Sequence, residues 1–507
     1  MSTSKKRSKT SSPLHSNKIF NMSPPRGSMS FMSKQKSSKN KSTFSSPSNQ
    51  ILQEELQKEN FMPKRVKRMT NQEEEATKKI KRFMKKSKHK IRANFLNAVC
   101  SDSHVCFGFG LERNKIKAFF GNFCKFHFLK GNLIGIGSPT SNGFVKELTY
   151  ERHGYFSNAV LKSNRETESD NLGYEACVGN FLNKVGKRFP CFLETYGLFY
   201  YKDHAFYEKM KNNREVDSAE IIGKLSNITT KIFGSHEEVL RELEFYLCSN
   251  SLYLSVLIEH LKNAPTLFEK FEKSADKLIF REYEFLPVLF QIYFPLAMLS
   301  NTFTHYDLHP GNVLIYHPKQ SSYIEYKYYL PEPDPLIITI NSKYIAKIID
   351  YGRCYFFDRE NPHITGSSEE LQKFFLSHNN CHIRSLFYNL ATDFYEPYHF
   401  IVSSKANHSH DLKLLTSFDS DADGLPEPVK DLLGKIVYKT QYGTPPTPDG
   451  FSQNLIRNVL DVLKELKQII GSDKINDQYD NDVNLEKLGT LHIYSDGRPI
   501  KFEKQNR

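Results

Sequence analysis

The chain has no tryptophan, so its large apolar groups are 39 Phe and 27 Tyr, enough for a sizeable core in 507 residues. No two of its eight cysteines (Cys100, Cys106, Cys124, Cys177, Cys191, Cys248, Cys354, Cys381) stand in a Cys-x-x-Cys pair. That spacing supports neither a zinc knuckle nor a dithiol redox motif, and reduced thiols are expected. Long apolar runs are also missing. The strongest, Phe285 to Leu299, is interrupted by Pro287, Gln291 and Pro295, so it reads as a buried helix and not as a bilayer span. Membrane partners are therefore not expected. The first fifty residues contain no acidic side chain.

Charge is divided sharply along the chain. Residues 1–90 hold 23 Lys and Arg against 6 Asp and Glu, so they carry +17 and the remainder carries −4. The opening sixty residues are dominated by Ser, Lys, Asn and Pro. Such a segment cannot bury enough apolar area to offset its ordering entropy, and it is predicted to be disordered. Basic clusters follow at Pro63 to Arg68, Lys78 to Arg82 and Lys85 to Lys90. They fit unspecific nucleic-acid contact through counterion release, a nuclear import signal, or a solvated tail that aids solubility. No aromatic interleaving points to base stacking.

From about Ile91 the composition becomes that of a folded body. A first part is predicted over 91–261, with a polar insertion at 203–248 that ends in an amphipathic helix, His236 to Cys248. A second part is predicted over 262–475, with an insertion at 317–342 marked by the tract Pro331 to Pro335. Residues 476–507 read as a polar tail. Helices are expected over 368–400 and 451–470, the latter with Leu455, Val459, Leu460, Leu463 and Leu466 on a buried face.

The most informative stretch is Thr304 to Ile315, which contains His305-x-Asp307-Leu308-x-x-x-Asn312 and runs into the apolar trio Val313-Leu314-Ile315. An Asp able to accept a hydroxyl proton, followed by an Asn able to hold a metal, is the pattern of a phosphoryl-transfer catalytic loop. Downstream, the apolar strand Ile345 to Ile349 delivers Asp350-Tyr351-Gly352. A carboxylate in that place is the expected second metal ligand.

Upstream, Leu133 to Leu148 is rich in glycine. Gly135, Gly137 and Gly143 let backbone amides approach phosphate oxygens, and Ser141 and Asn142 add donors, with Val145 following. Most glycine-rich turns bind nothing, and the five residues between Gly137 and Gly143 are a stretched spacing. Cys106 to Gly110 holds a lone Gly-x-Gly and reads as a strand-turn. Seventeen residues beyond Val145 stands Lys162, closing the apolar strand Ala159-Val160-Leu161. A helix over Asp170 to Lys184 could bring Glu175 to it; the bland alternative is two unrelated surface charges. Phe189 to Tyr201 reads as a paired strand unit. Leu252 to Ile258 reads as a buried strand leading into Glu259-His260-Leu261, where the backbone of a linker could meet an adenine.

In this order, the glycine-rich loop, Lys162, Glu175, the linker at 259–261, His305-x-Asp307 to Asn312, and Asp350-Tyr351-Gly352 resemble the protein-kinase-like superfamily over about residues 130–470. The wording of the loop resembles the divergent serine/threonine kinases of large DNA viruses, giant amoebal viruses among them. The resemblance implies an α+β, bilobal protein-kinase-like fold, with an antiparallel β N-lobe and a helical C-lobe. It also implies ATP and Mg²⁺ as cofactors, protein hydroxyls as acceptors, and a place in the virion or host cytoplasm. By the same resemblance Asp307 would orient or deprotonate the acceptor, and Asn312 and Asp350 would hold Mg²⁺. Lys162 would position the phosphates, and Glu175 would fix Lys162.

Departures from the family pattern are informative. Tyr306 stands where an Arg is usual, which predicts a site that needs no activating phosphorylation. His309 stands where a Lys is usual, either aiding the γ-phosphate or bonding the loop backbone. No Ala-Pro-Glu follows Gly352, and Asp-Leu-His-Pro-Gly-Asn is also how small-molecule phosphotransferases resemble this loop. A small hydroxylated acceptor is therefore the second reading. A pseudokinase or tethered interaction protein is the third, disfavoured because Lys162, Asp307, Asn312 and Asp350 are all present.

Overall fold

The structure is a computed structural model that describes residues 75, 78–79, 99–101, 104–137, 143–166, 171–232, 242, 244–330, 336–362, 365, 368, 401, 403–436, 455–472, 479 and 484–505. The chain divides into two units, Met1–Lys79 and Ile80–Arg507. Only residues 75, 78 and 79 of the first are described, and they are helical. The disorder expected over residues 1–60, all but the first residue of the helices expected over 368–400, the tract 331–335 and most of the helix expected over 236–248 lie outside the described residues.

The second unit is mixed α+β. It opens with β1 (Val99–Cys100), β2 (Cys106–Phe107) and α1 (Glu112–Phe119). The register of β1 and β2 sets Cys100 opposite Cys106, and the two are joined as a disulfide. This corrects the expectation of reduced thiols throughout: the hairpin places two cysteines face to face without any Cys-x-x-Cys spacing. Then follow β3 (Asn132–Ile136), β4 (Gly143–Arg152), β5 (Tyr155–Asn164), α2 (Asn171–Val185) and β6 (Thr195–Tyr201). After them come α3 (His204–Asn212), β7 (Glu215–Asp217), β8 (Leu225–Asn227) and β9 (Leu254–Glu259).

Seven of these strands form one antiparallel sheet in the order β7-β3-β4-β5-β9-β6-β8. The strand period of two splits its residues between two apolar layers. Leu148, Leu161 and Leu257 pack with Phe123 and Tyr150 on one side, while Val256, Ile258 and Leu198 pack with α2 on the other. The presumed polar insertion at 203–248 is part of this sheet, because β7 and β8 add its two edges. Asp203 caps α3 by accepting from the Phe206 amide at 3.0 Å, and Tyr207 and Met210 of that helix are buried. Of the paired strand unit expected over 189–201, only β6 is a strand. Phe192 makes a single parallel bridge to Ile348.

The remainder is built around α4 (Phe285–Met298), buried from Phe285 to Ala297 with Pro295 inside it. Among the described residues no helix is long and apolar enough to cross a membrane. After it come β10 (Phe303–Thr304), β11 (Val313–Tyr316), β12 (Ser322–Tyr329), β13 (Ile337–Ser342), β14 (Ile345–Ile348) and β15 (Tyr355–Phe356). Next are a 3-10 segment, His410–Ser417, α5 (Glu427–Gly434) and α6 (Val459–Ser472). Two strands close the described chain, β16 (Glu486–Tyr494) and β17 (Lys501–Lys504).

Three pairings matter for the site: β11 with β14, β10 with β15, and a four-stranded sheet β13-β12-β16-β17 in which β12 and β16 run parallel. The last corrects the reading of 476–507 as a polar tail. Gly489, Leu491 and Ile493 alternate inward along β16 and let it dock on β12. On α6, Val459, Leu463 and Leu466 are buried as expected, whereas Leu460 is exposed. It lies one residue, about 100°, round the helix from Val459. Leu455 precedes the helix and is also exposed.

Candidate active site

Lys162 lies near the end of β5, and α2 crosses the sheet so that Glu175 meets it. The Lys162 ammonium donates to Glu175 Oε2 at 2.7 Å and to Asp350 Oδ1 at 3.1 Å. Burial pulls the lysine toward neutrality, but the two carboxylates outweigh it and hold its pKa above the ordinary range. Burial pushes the Glu175 carboxyl up while Lys162 pulls it down. We take the pair as ionised, because the lysine is held by two carboxylates at bonding distance and a neutral partner would forfeit a charge-assisted bond. Asp350, beside Lys162, is held below the usual carboxylate range.

Asp350 has φ 65°, in the left-handed region. Its neighbour Tyr351 is pinned at the hydroxyl, which donates to Ile348 O at 2.7 Å and accepts from the Leu193 amide at 3.0 Å. On the α2 side, Tyr174 donates to Cys354 O at 2.7 Å and Lys184 pairs with Asp358 at 2.8 Å. The helix that carries Glu175 is thus tied to the segment that follows Asp350.

The loop between β10 and β11 is braced from three directions. His305, fully buried, has Nε2 against Ile349 O at 2.9 Å and Nδ1 accepting from the Asp307 amide at 3.3 Å. Asn312 donates from Nδ2 to Asp307 O at 2.9 Å, and its carbonyl accepts from the Ile349 amide at 3.0 Å. Asp411 accepts from the His305 amide at 2.9 Å and from the Tyr306 amide at 3.0 Å, one on each oxygen. Those bonds hold Tyr306 at φ 64°, a conformation that costs a residue with a side chain about 1–2 kcal/mol. Asp411 is itself buried and carried above the usual carboxylate range by that burial.

The Asp307 carboxylate stands between two cations, Arg353 Nε at 3.8 Å from Oδ2 and Lys413 Nζ at 3.9 Å from Oδ1. Sequence reasoning found neither of these groups, nor Asp411. They lie outside the loop, and no local pattern marks them. His309 accepts from the Gly311 amide at 3.1 Å, so it bonds the loop backbone, and burial lowers its imidazole despite the nearby Asp307.

The residues expected to meet a nucleotide fall out less uniformly. Gly137 has φ 70° with open space around it, as a loop glycine needs. Gly143 opens β4, and Val145 lies opposite Lys162 in the register. Ser141 and Asn142 lie outside the described residues. Gly135 is in β3, where its amide donates to Arg214 O at 2.7 Å, so it is committed to the chain and not to a phosphate.

In the linker, the Glu259 amide donates to Glu194 O at 2.8 Å and the His260 amide to Asn158 O at 3.1 Å. Two of the backbone donors of the linker are therefore used within the chain. The Glu259 side chain enters a buried charge cluster with Arg113 at 3.2 Å and Lys347 at 3.8 Å. Leu261, also expected to meet the adenine, is buried, and its carbonyl accepts from Ala264.

Two cavities flank this arrangement. One of about 770 Å³ lies behind the linker, lined in part by Ser157, His260, Lys270 and Tyr344, and does not include Lys162, Asp307 or Asp350. A smaller one, about 400 Å³, adjoins the loop at His309, Pro310 and Gly311.

Among the described residues no group of three His, Cys, Asp or Glu could hold a metal alone. The donors at the site are oxygens: the Asn312 amide, whose nitrogen is committed to Asp307 O, and the Asp350 carboxylate, whose side chain is 46% exposed. Two such donors suit Mg²⁺, which keeps water and phosphate oxygens as its other ligands. No family model matches the chain, and no characterised protein matches it either.

Proposed function

We propose that this chain is a phosphotransferase that moves the γ-phosphoryl group of ATP to serine and threonine hydroxyls of proteins. We propose with it that the two parts of the Ile80–Arg507 unit are the lobes of a protein-kinase-like fold. The observation that carries the reading is the constellation itself. One lysine bridges Glu175 at 2.7 Å and Asp350 at 3.1 Å, while Asn312 and His305 lock the loop that presents Asp307.

The residues divide the work as follows. Lys162, kept cationic by its carboxylates, would bind phosphate oxygens, and Glu175 fixes its direction. Asp307 would orient the acceptor hydroxyl and take its proton. Asn312 and Asp350 would hold Mg²⁺, which when bound neutralises charge on the phosphates. The pinned Tyr351 and the braced His305 keep the two halves in register, the kind of preorganisation that positions reacting groups. The acceptor would enter by the cavity beside His309 to Gly311, bounded by Thr266, Phe268 and Ser417.

Purified protein incubated with labelled ATP, Mg²⁺ and casein or a basic protein should transfer label, and Asp307→Ala should not. Absence of label from both, with transfer to small hydroxylated acceptors instead, would move the reading to a small-molecule phosphotransferase. Equal transfer by both would refute the assignment of Asp307.

A further inference from the structure

The loop that carries Asp307 has no cation of its own: from Thr304 to Ile315 it contains neither Lys nor Arg. His309 does not fill the gap, because its Nδ1 bonds the Gly311 amide and burial keeps its imidazole below the ordinary range. Positive charge reaches Asp307 from elsewhere. Lys413 comes from the 3-10 segment His410–Ser417, more than one hundred residues along the chain, and is only 20% exposed at its side chain. The same segment supplies Asp411, whose two bonds fix the loop backbone, so Lys413 and the loop are positioned as one piece.

We propose that Lys413 is the residue that neutralises the transferring phosphoryl group at this site, a cation brought by the 3-10 segment to a loop that lacks one. The inference rests on the phosphotransferase reading. As the acceptor oxygen forms its bond to Pγ, the bond from Pγ to the β,γ-bridging oxygen breaks, and ADP leaves with that electron pair. The acceptor proton passes to Asp307. A protonated Asp307 no longer competes by charge for Lys413, so the attraction of the ammonium to the phosphoryl oxygens grows in the same step. Lys413 stays protonated throughout and nothing else is consumed.

Among the described residues, charged and titratable groups that face Lys413 include Asp307 and His309 from the loop and Arg353 from the segment after β14. Burial lowers the lysine, Asp307 raises it and Arg353 lowers it, the net being downward. The group is therefore able to lose its proton at a less alkaline pH than a surface lysine.

The test compares wild type, Lys413→Gln, Lys413→Arg and Asp307→Asn in steady-state transfer from ATP to casein, with thermal unfolding of each. Loss of a charge-stabilising donor predicts a fall in kcat of about 10²–10³-fold for Lys413→Gln, with KM for ATP within about twofold. Lys413→Arg should recover most of the rate and move the alkaline limb of the kcat profile upward, because a guanidinium does not deprotonate there. A Lys413→Gln rate within twofold of wild type overturns the proposal. So does a loss that Lys413→Arg fails to restore and that tracks a matching fall in the unfolding temperature, which would make the role structural. Transfer absent from all four proteins would instead overturn the phosphotransferase reading itself, and this inference with it.

Discussion

Replacing Asp411 tests whether the left-handed turn at Tyr306 is held in place or merely tolerated. Asp411 accepts one amide on each oxygen, from His305 at 2.9 Å and Tyr306 at 3.0 Å, in surroundings with almost no solvent. Hydrogen bonds to a charged group contribute about 1.5–3 kcal/mol each, so the pair stands near 3–6 kcal/mol gross. Burying the carboxylate opposes this, as its upward shift records. We therefore expect Asp411→Ala to cost about 2–4 kcal/mol net. In a folded unit this large, 1 kcal/mol moves the unfolding midpoint by roughly 1 °C, so thermal melting should fall by only a few degrees.

Activity should suffer far more. Without its clamp, the Tyr306 backbone can recover the about 1–2 kcal/mol of left-handed strain by leaving that region, and Asp307 moves with it. Displacement of a reacting group by about 1 Å costs on the order of 100-fold in rate. Asp411→Asn keeps one acceptor but turns an N–H₂ toward the other amide, so it should fall between wild type and alanine. Melting curves and kcat for phosphoryl transfer, measured on the same preparations, decide the matter. An alanine variant that melts a few degrees lower yet keeps kcat within twofold would refute the idea that Asp411 sets the loop geometry.

Glu175→Gln should leave Asp350 as the one carboxylate on Lys162 and lower kcat/KM for ATP by about 10–100-fold, read by steady-state kinetics with melting on the same protein. Gly179→Ala should weaken both stability and transfer. A Cβ there would strike the Thr195 side chain, coming within 2.7 Å of its Cβ, and push α2 off β6 with Glu175 one turn away. Overpacking of this kind costs about 1–3 kcal/mol, measurable by urea unfolding. Lys347, 1% exposed, is pulled down to about 8 by burial, against the 10.5 of a free lysine. Between those values the unfolded chain binds the proton and the folded one does not, so this group makes stability rise with pH over that window, by on the order of 3 kcal/mol. Lys347→Met should abolish that part of the slope in unfolding midpoints taken from pH 7.5 to 10.5; an unchanged slope would place the group outside the titration.

What the sequence made legible was what chemistry forces to be contiguous. Asp307 and Asn312 share one loop, and Asp350 closes one apolar strand. Lys162 and Glu175 were legible as an order of elements, strand then helix. Asp411 was not, because its partner His305 is 106 residues earlier and an isolated Asp carries no pattern. Lys413 and Arg353 were missed for the same reason. In the linker the sequence did not show which amides were spoken for, because that depends on chain neighbours: Glu194, just before β6, and Asn158 of β5 take the donors of Glu259 and His260. In the region after residue 476, charged outward positions masked a period-two pattern that the β12 edge turns into a strand.

The parallel pairing of β12 with β16 also sets a timetable for synthesis. Glu325 and Thr490, bonded side by side, are separated by 165 residues. At about 5–20 residues per second, a ribosome needs roughly 10–30 s to make the second strand after the first has emerged. For that interval the β12–β13 hairpin offers an unpaired edge rich in tyrosine to anything nearby. A chaperone that shields strand edges would find its longest-lived target there, and slowing elongation after residue 329 would be expected to increase aggregation more than slowing it before residue 322.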